Sequence, residues 1–383
     1  MRAELLIRKR IWKLMVVLTA LFGAIVARII SLTVIQGEAL TARGVRQWTQ
    51  EGKVEARRGS IVDRNGETLA LSTTAYIVSV NPRKVTEDAA FAARMAEMLD
   101  VEQQTILNKL KNKNYASVVL KRQVPRATVD AIRTLRAQDE SAAKLLQGLS
   151  FSEDTRRVYI KGQFLAQALG LTNVDSEGQS GLEQQYDAVL KGEDGILLTE
   201  VDRKARTMPQ SNTTYIAPQT GNTVQLTIDA SIQSFVERAM RECIQVNNAK
   251  SVTSIVMDVN TGAILALCMK PDYDPNSPPR DDIQTLTELM RISAVSDAYE
   301  PGSTFKSLTC AAALDAGAVS VGDTFQCTGS IRVDGDTIRC WKKSHGHETL
   351  AEGLKNSCNP VFVTLALRMG TQRLYQYLRA FGL

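Results

Sequence analysis

An uncharged apolar run near the N-terminus is the feature that most constrains how this chain folds. Residues 14–27 contain no charged side chain, and the apolar run resumes after Arg28 and continues to Ile35. Together they amount to about 22 residues, close to the roughly 20 that a helix needs to cross the hydrocarbon core of a bilayer. We therefore predict one membrane-spanning helix over residues 14–35, preceded by a short tail, residues 1–13.

The charges around this run predict its orientation. The tail contains five basic residues, namely Arg2, Arg8, Lys9, Arg10 and Lys13. Basic residues favour the cytoplasmic side, so we expect the tail in the cytoplasm and the bulk of the chain outside the cell membrane. A cleaved signal peptide is the alternative, but the run is long for one and no small-x-small cleavage site follows it. We expect an uncleaved, single-pass anchor.

Length and composition describe an ordinary globular chain outside this anchor. The 383 residues allow two or three domains, and 44% hydrophobic residues suffice for a sizeable core. The net charge is +5, and no arginine-rich block with interleaved aromatic residues occurs. We therefore expect no nucleic-acid partner. Glycine-rich nucleotide-binding patterns are also missing from the sequence.

A serine and a lysine three residues apart form the first candidate catalytic motif. Pro301 and Gly302 interrupt the preceding structure, and the apolar run 308–314 predicts a buried helix. Residues i and i+3 share a helix face, so Lys306 can lie beside the Ser303 hydroxyl. A lysine in a desolvated pocket can lose its proton and act as the base that a serine nucleophile needs. A capped surface helix with a solvated lysine is the alternative.

A second motif, Ser357-Cys358-Asn359, follows about fifty residues later, after the helical pattern 350–355. It supplies another hydroxyl and a side-chain amide, which suit proton relay and the binding of a substrate amide. Ser-x-x-Lys combined with Ser-x-Asn belongs to the signature of serine β-lactamases and penicillin-binding proteins.

Further motifs along the chain can be compared, in their order, with the motifs of penicillin-binding proteins. They are Arg58-Gly59-Ser60-Ile61-Val62-Asp63-Arg64-Asn65-Gly66, Gly181-Leu182-Glu183 with Tyr186-Asp187, Leu226-Thr227-Ile228-Asp229, and Val256-Met257-Asp258-Val259. With them, the chain resembles the class B penicillin-binding proteins, the membrane-anchored D,D-transpeptidases of peptidoglycan synthesis. Cys340-Trp341, His347 and the Ser357 motif resemble the division and sporulation branch.

The resemblance implies an α+β fold with two extracytoplasmic modules. An elongated α+β pedestal, or dimerisation module, is expected over residues 44–220. The N-terminal part of a transpeptidase domain, similar to serine β-lactamases, is expected over residues 221–383. Of the five-stranded sheet of that domain, the first two strands are predicted near residues 251–259 and 263–269.

The resemblance also implies a mechanism. Lys306 would accept the Ser303 proton, and Ser303 would attack a D-Ala-D-Ala stem peptide to form an acyl-enzyme. Ser357 would relay a proton to the leaving amine, while Asn359 would bind the substrate backbone and position Lys306. β-Lactams would acylate the same serine, and no cofactor is implied. The implied partners are peptidoglycan stem peptides, β-lactams, the membrane, a glycosyltransferase, and other division or sporulation membrane proteins.

One family motif is missing from the sequence. No Lys-Thr-Gly or Lys-Ser-Gly occurs in the 383 residues, and in the family this motif follows Ser-x-Asn. We therefore expect the chain to be the N-terminal part of a longer protein, C-terminally truncated, and these residues alone to bind penicillin poorly. Three alternatives to a transpeptidase stay open: a non-catalytic scaffold of a cell-wall synthesis complex, a β-lactam sensor, and a hydrolase such as a D,D-carboxypeptidase or β-lactamase.

Two of the six cysteines suggest a pair. Cys327 and Cys340 flank a segment that is predicted to be a hairpin turning at Asp334-Gly335, which would bring the two thiols close enough for a disulfide. Free thiols are one alternative. A Cys2His2 zinc site with His345 and His347, the only histidines, is the other.

Overall fold

A computed structural model describes residues 2–40, 49–200 and 214–383. The chain divides into two compact units, Met1–Ser296 and Asp297–Leu383, here called unit 1 and unit 2. Each is described by itself. The domain boundaries expected from the sequence, residues 44–220 and 221–383, remain a prediction. Residues 44–48 of the first domain lie outside the described residues.

The N-terminal helix of unit 1 runs from Arg2 to Ile30 and continues as a π-helical turn, Ser31–Ile35. Its segment Trp12–Ile35 has 24 residues, a mean hydropathy of 2.3 and no part buried in the protein. At 1.5 Å per residue this segment is about 36 Å long, compared with about 30 Å for a bilayer core. It is the one helix in the described ranges that is long and apolar enough to span a membrane, and it coincides with the predicted residues 14–35.

A five-stranded sheet organises the next part of unit 1. Its central strand, Thr68–Val80, pairs antiparallel with Leu149–Tyr159 from Ala70 to Val80 and with Val118–Pro125 over its second half. Ile61–Val62 pairs with the start of the central strand, and Val224–Gln225 lies parallel to Ile61–Val62. The sheet thus joins segments from both sides of the predicted boundary at residue 220.

Helices cover the long strands and close a hydrophobic core. Phe91, Met95, Ile106 and Ile132 are fully buried in one cluster with Val78 of the central strand. The helices of this region are Asp88–Leu99, Gln103–Leu110, Arg126–Gln138, Glu140–Leu145, Ala166–Leu169, Gly181–Gln185 and Asp187–Leu190. A separate three-stranded sheet contains Thr49–Val54, Gly195–Glu200 and Thr214–Ile216.

Buried charges join two of the sequence motifs within unit 1. Glu183 is fully buried and bridges two arginines, with its carboxylate oxygens 2.6 Å from Arg58 Nε and 2.7 Å from Arg157 Nε. Arg58 also contacts Asp187 at 2.6 Å. A buried charge persists only where partners compensate it, so this cluster is a structural junction between the Arg58 motif and the Gly181 motif.

The last part of unit 1 contains a helix and, after it, the hairpin that was expected from the sequence. Helix Ala230–Val246 precedes strands Val252–Met257 and Ile264–Lys270, which pair antiparallel. Gln233, fully buried on this helix, exchanges two hydrogen bonds with the backbone of Leu267, at 2.8 and 2.9 Å. Short helices Ile283–Met290 and Ser293–Ser296 follow.

Unit 2 contains four helices among its described residues, Phe305–Asp315, Leu350–Lys355, Asn359–Met369 and Thr371–Ala380. Strand Thr324–Cys327 pairs with Gly346–Thr349, and Ser330–Val333 pairs with Asp336–Arg339. The second pair turns at Asp334-Gly335, both with positive φ, which is the hairpin turn that the sequence predicted. The two units confirm a mixed α+β fold with one N-terminal apolar helix.

Candidate active site

Ser303 lies at the start of a buried helix in unit 2. It occupies a 3-10 turn, Gly302–Thr304, that leads into helix Phe305–Asp315. Gly302 has a φ of +54°, a left-handed conformation that glycine adopts without strain. The Ser303 side chain is exposed, whereas Lys306, in the first turn of the helix, is half-buried. This turn therefore presents a hydroxyl to solvent above a partly desolvated amine.

Ser357 and Asn359 lie where one helix ends and the next begins. Helix Leu350–Lys355 begins with a capping box and ends just before Ser357, which has a φ of +50°. Cys358 is fully buried, and Asn359 starts the next helix with Pro360 in its first turn. A non-glycine residue with positive φ costs free energy, so the surrounding fold holds Ser357 in place.

The four motif residues form one continuous hydrogen-bond network. Lys306 Nζ donates to Ser357 Oγ at 2.9 Å, to the Ser357 carbonyl at 2.7 Å and to Asn359 Oδ1 at 2.6 Å. Ser357 Oγ in turn donates to Ser303 Oγ at 2.9 Å. Both motifs thus meet at the Lys306 amine, and the Ser357 hydroxyl links it to Ser303.

Burial makes the charged form of Lys306 less favourable than it is in water. Burial lowers the pKa of the amine from its usual value of 10.5, while the thiols of Cys340 and Cys358 oppose this shift. Among the described residues no carboxylate forms an ion pair with Lys306, so burial is the dominant influence. A lower pKa increases the fraction of unprotonated amine at a given pH, and a general base must be unprotonated to accept a proton.

The structure brings the four predicted residues together, with Asn359 on the Lys306 amine as expected, but it does not pair Lys306 directly with Ser303. The sequence predicted Lys306 directly beside Ser303. Among the described residues, the Ser303 hydroxyl is instead linked to the Lys306 amine by hydrogen bonds through the Ser357 hydroxyl. The sequence also missed the carbonyl of Arg339, which accepts a hydrogen bond from Asn359 Nδ2 at 2.8 Å. A backbone carbonyl leaves no side-chain signature, so nothing in the sequence marked this contact.

The cysteine pair proved to be part of a larger group. Cys327 and Cys340 lie close together as predicted, but both are free thiols. Cys358 and His345 join them, with the four ligand atoms all within 4.8 Å of one another. His347, which the sequence offered as a fourth zinc ligand, is exposed on strand Gly346–Thr349 and lies outside this group. The Cys2His2 alternative is therefore wrong in its ligands.

Two family models match the chain. The penicillin-binding protein dimerisation domain matches residues 53–226, and the penicillin-binding protein transpeptidase domain matches residues 252–383. The chain belongs to the class B penicillin-binding proteins. The four residues of the hydrogen-bond network all lie in the region that matches the transpeptidase model.

Curated relatives agree with this family. The chain is 34% identical over 372 residues to Stage V sporulation protein D of Bacillus subtilis, covering 94% of this chain and 56% of that protein. It is 30% identical over 379 residues to the probable peptidoglycan D,D-transpeptidase PenA of Neisseria gonorrhoeae, covering 98% and 62%. The chain thus spans 56–62% of the length of these two relatives.

Solved structures share the fold. A peptidoglycan synthetase from Bifidobacterium adolescentis is 26% identical with a TM-score of 0.61, and the match covers 87% of this chain and 63% of that one. Penicillin-binding protein PBP2 of Helicobacter pylori, solved in complex with MreC, has a TM-score of 0.65 at 21% identity, covering 86% and 65%. At that identity the second match supports the fold alone.

Proposed function

We propose that this chain carries the acylation centre of a peptidoglycan D,D-transpeptidase. The observation that carries the proposal is the hydrogen-bond network from Lys306 through Ser357 to Ser303, with Asn359 on the same amine. It provides a nucleophile, a base of lowered pKa and a relay between them, which acyl transfer by a serine requires. The names of the relatives, which include D,D-transpeptidases, point to the same reaction.

The proton leaves Ser303 through Ser357. While Lys306 is charged, its N–H donates to Ser357, and Ser357 donates to Ser303. When Lys306 is neutral, the two hydroxyl groups can rotate so that Ser303 donates to Ser357 and Ser357 donates to the Lys306 amine. Ser303 then gives its proton to Ser357 as its oxygen attacks the carbonyl, and Ser357 gives its own proton to the Lys306 amine.

The substrate we propose is the D-Ala-D-Ala end of a stem peptide. The Ser303 oxygen bonds to the carbonyl carbon of the penultimate D-Ala, and the C–N bond to the last D-Ala breaks. Ser357 relays the proton from Lys306 to the departing amine. An amine of a second stem peptide then attacks the ester, forms the cross-link and releases Ser303 with its proton restored. A β-lactam would stop after the first step, because its opened ring stays attached to Ser303.

Asn359 has two roles in this proposal. Its Oδ1 accepts a hydrogen bond from Lys306, and its Nδ2 donates to the Arg339 carbonyl. The first contact orients the amine toward Ser357. We assign Nδ2 to the backbone of a bound stem peptide, whose carbonyl would replace that of Arg339 as the acceptor.

We also propose a membrane topology and domain organisation. Residues 1–13 form a cytoplasmic tail, residues 14–35 the anchor, residues 44–220 the pedestal module and residues 221–383 part of the transpeptidase domain. The apolar helix and the basic tail support this topology. The 34% identity to a stage V sporulation protein supports a role in the division and sporulation branch. Partners would include a glycosyltransferase and other membrane proteins of that branch.

Labelling with a fluorescent penicillin tests the nucleophile. The protein, expressed from its complete reading frame, should become covalently labelled, and Ser303→Ala should abolish the label. Ser307→Ala is the matched control, because Ser307 lies four residues further along, on helix Phe305–Asp315, with an exposed side chain; this variant should label normally. Persistent labelling of Ser303→Ala would show that another residue is the nucleophile.

A further inference from the structure

Three thiols and one imidazole converge in unit 2 behind the Ser-x-Asn motif. Cys327 ends strand Thr324–Cys327, Cys340 follows strand Asp336–Arg339, His345 precedes strand Gly346–Thr349, and Cys358 precedes helix Asn359–Met369. Their ligand atoms all lie within 4.8 Å of one another. Four separate segments therefore deliver one donor atom each to a single point.

The distances from His345 to two of the thiols fit a tetrahedral metal ion. His345 Nδ1 is 3.7 Å from Cys327 Sγ and 3.5 Å from Cys340 Sγ. With Zn–S bonds of about 2.3 Å and Zn–N bonds of about 2.0–2.1 Å, a tetrahedral ion places sulfur and nitrogen ligands about 3.6 Å apart and two sulfurs about 3.8 Å apart. The two distances from His345 match this geometry, and the remaining donor atoms lie within 4.8 Å of one another.

Buried polar atoms without a hydrogen-bond partner in the described ranges lie beside the group. The Cys327 and Cys358 side chains are fully buried, and the His345 side chain is 3% exposed. Glu348 is 3% exposed, and its Oε1 lies 3.6 Å from His345 Nδ1 with no hydrogen-bond partner among the described residues. An unsatisfied buried carboxylate oxygen is costly. A buried polar atom without a partner needs an explanation, and an ion held by the adjacent donor group is one.

We propose that Cys327, Cys340, His345 and Cys358 bind one zinc ion. Three thiolates and one imidazole form a closed Cys3His set, which selects zinc as a structural metal. Binding releases the three thiol protons to solvent, and the ion then bonds to all four donors. A disulfide between Cys327 and Cys340 would engage two of the four groups and leave Cys358 and His345 outside the bond.

The ion would fix residues of the hydrogen-bond network. Cys358 lies between Ser357 and Asn359, and Cys340 follows Arg339, whose carbonyl accepts from Asn359. Bonds from one metal to both cysteines therefore hold the relay hydroxyl and the amide in position. This consequence for acylation rests on the proposed function, whereas zinc binding itself does not.

Metal content tests the site on the full protein, purified without a polyhistidine tag and dialysed against metal-free buffer. Plasma mass spectrometry should find about one zinc per chain. His345→Ala should reduce the zinc content at least tenfold, whereas His347→Ala, two residues away and exposed, should keep it. Cys243→Ser, a thiol outside the group, is the second control. Wild-type protein with less than about a tenth of an ion, or equal loss in both histidine variants, would overturn the proposal.

Three further measurements test the donor set, and the first two use the wild-type protein, so they do not depend on how variants fold. Cobalt replacing zinc in the wild-type protein should give the visible bands of a tetrahedral ion and a near-ultraviolet sulfur-to-cobalt band. A strong zinc chelator should make three additional thiols reactive, and His345→Cys, which keeps a zinc-binding donor set, should retain one ion. An octahedral cobalt spectrum, or a Cys327–Cys340 disulfide in the purified protein, would contradict the site.

The acylation consequence is measured separately. Removing zinc should slow penicillin labelling of Ser303 at least tenfold, and zinc alone should restore it. An unchanged rate would refute the link to acylation and leave the metal site standing. A zinc-containing protein that never labels would instead contradict the proposed function.

Discussion

Replacement of Ser357 by glycine separates the chemistry of this residue from its structural role. Ser357→Gly removes the hydroxyl that connects Lys306 to Ser303, each at 2.9 Å. The backbone conformation, with φ at +50°, suits glycine better than serine. The variant is therefore expected to fold normally while losing the only hydrogen-bonded route from Ser303 to the amine that the described residues provide.

The expected magnitudes follow from these contacts. Loss of proton transfer slows acylation by roughly 10²–10⁴-fold, or about 2.7–5.4 kcal/mol at 1.36 kcal/mol per tenfold. For folding, two lost hydrogen bonds cost about 1–3 kcal/mol, and relief of left-handed strain returns about 1–2 kcal/mol. The net change in the free energy of unfolding is expected to be within about 1–2 kcal/mol.

Ser357→Ala is the matched variant. It loses the same hydroxyl but keeps a Cβ at positive φ, so it should be about 1 kcal/mol less stable than Ser357→Gly. Stopped-flow labelling with a fluorescent penicillin gives the acylation rates, and denaturant unfolding gives the stabilities. Equal, large losses of rate with unequal stabilities are expected. A wild-type acylation rate in Ser357→Gly would show that Lys306 takes the proton directly and refute the relay.

Two other predictions concern charge. The acylation rate should rise with pH as Lys306 loses its proton and then level off. The midpoint of this pH–rate profile should lie below 10.5, because burial lowers the pKa of the amine. A midpoint at or above 10.5 would contradict a lowered pKa of Lys306. Glu183→Ala should lower the free energy of unfolding by about 3–5 kcal/mol, because it leaves two buried arginines without their shared carboxylate. Glu177→Ala is the control, since it removes only an exposed ion pair with Lys191. It should lower the free energy of unfolding by at most about 1 kcal/mol in the same denaturant titration.

The sequence predicted the long elements because their patterns are local. The apolar helical segment Trp12–Ile35 and the strands Val252–Met257 and Ile264–Lys270 match their expected positions within about two residues. The strands Thr324–Cys327 and Gly346–Thr349 were not predicted. Each has four residues, and their partners lie some twenty residues away along the chain. Pairing between distant segments, rather than a local pattern, makes them strands.

The candidate site shows the same limit. Spacing placed Ser303 and Lys306 on one helix, and family motifs added Ser357 and Asn359, but the order of the relay depends on the left-handed Ser357 backbone. For the metal ligands, sequence proximity suggested His347 in place of Cys358. Side chains alternate along strand Gly346–Thr349, so His347 faces solvent while Glu348 is buried. Cys358 reaches the group from a distant helix, which no spacing rule indicates.

Peptide mapping of the penicillin-labelled protein tests the central claim most directly. Trypsin cleaves after Arg291, Lys306 and Lys355, so Ser303, Ser307 and Ser357 fall on three different peptides. The account predicts a β-lactam adduct on peptide 292–306, assigned to Ser303 by fragmentation, and none on the other two. An adduct on the peptide that begins at Asn356, or unmodified peptide 292–306 in fully labelled protein, would contradict the assignment of Ser303 as the nucleophile.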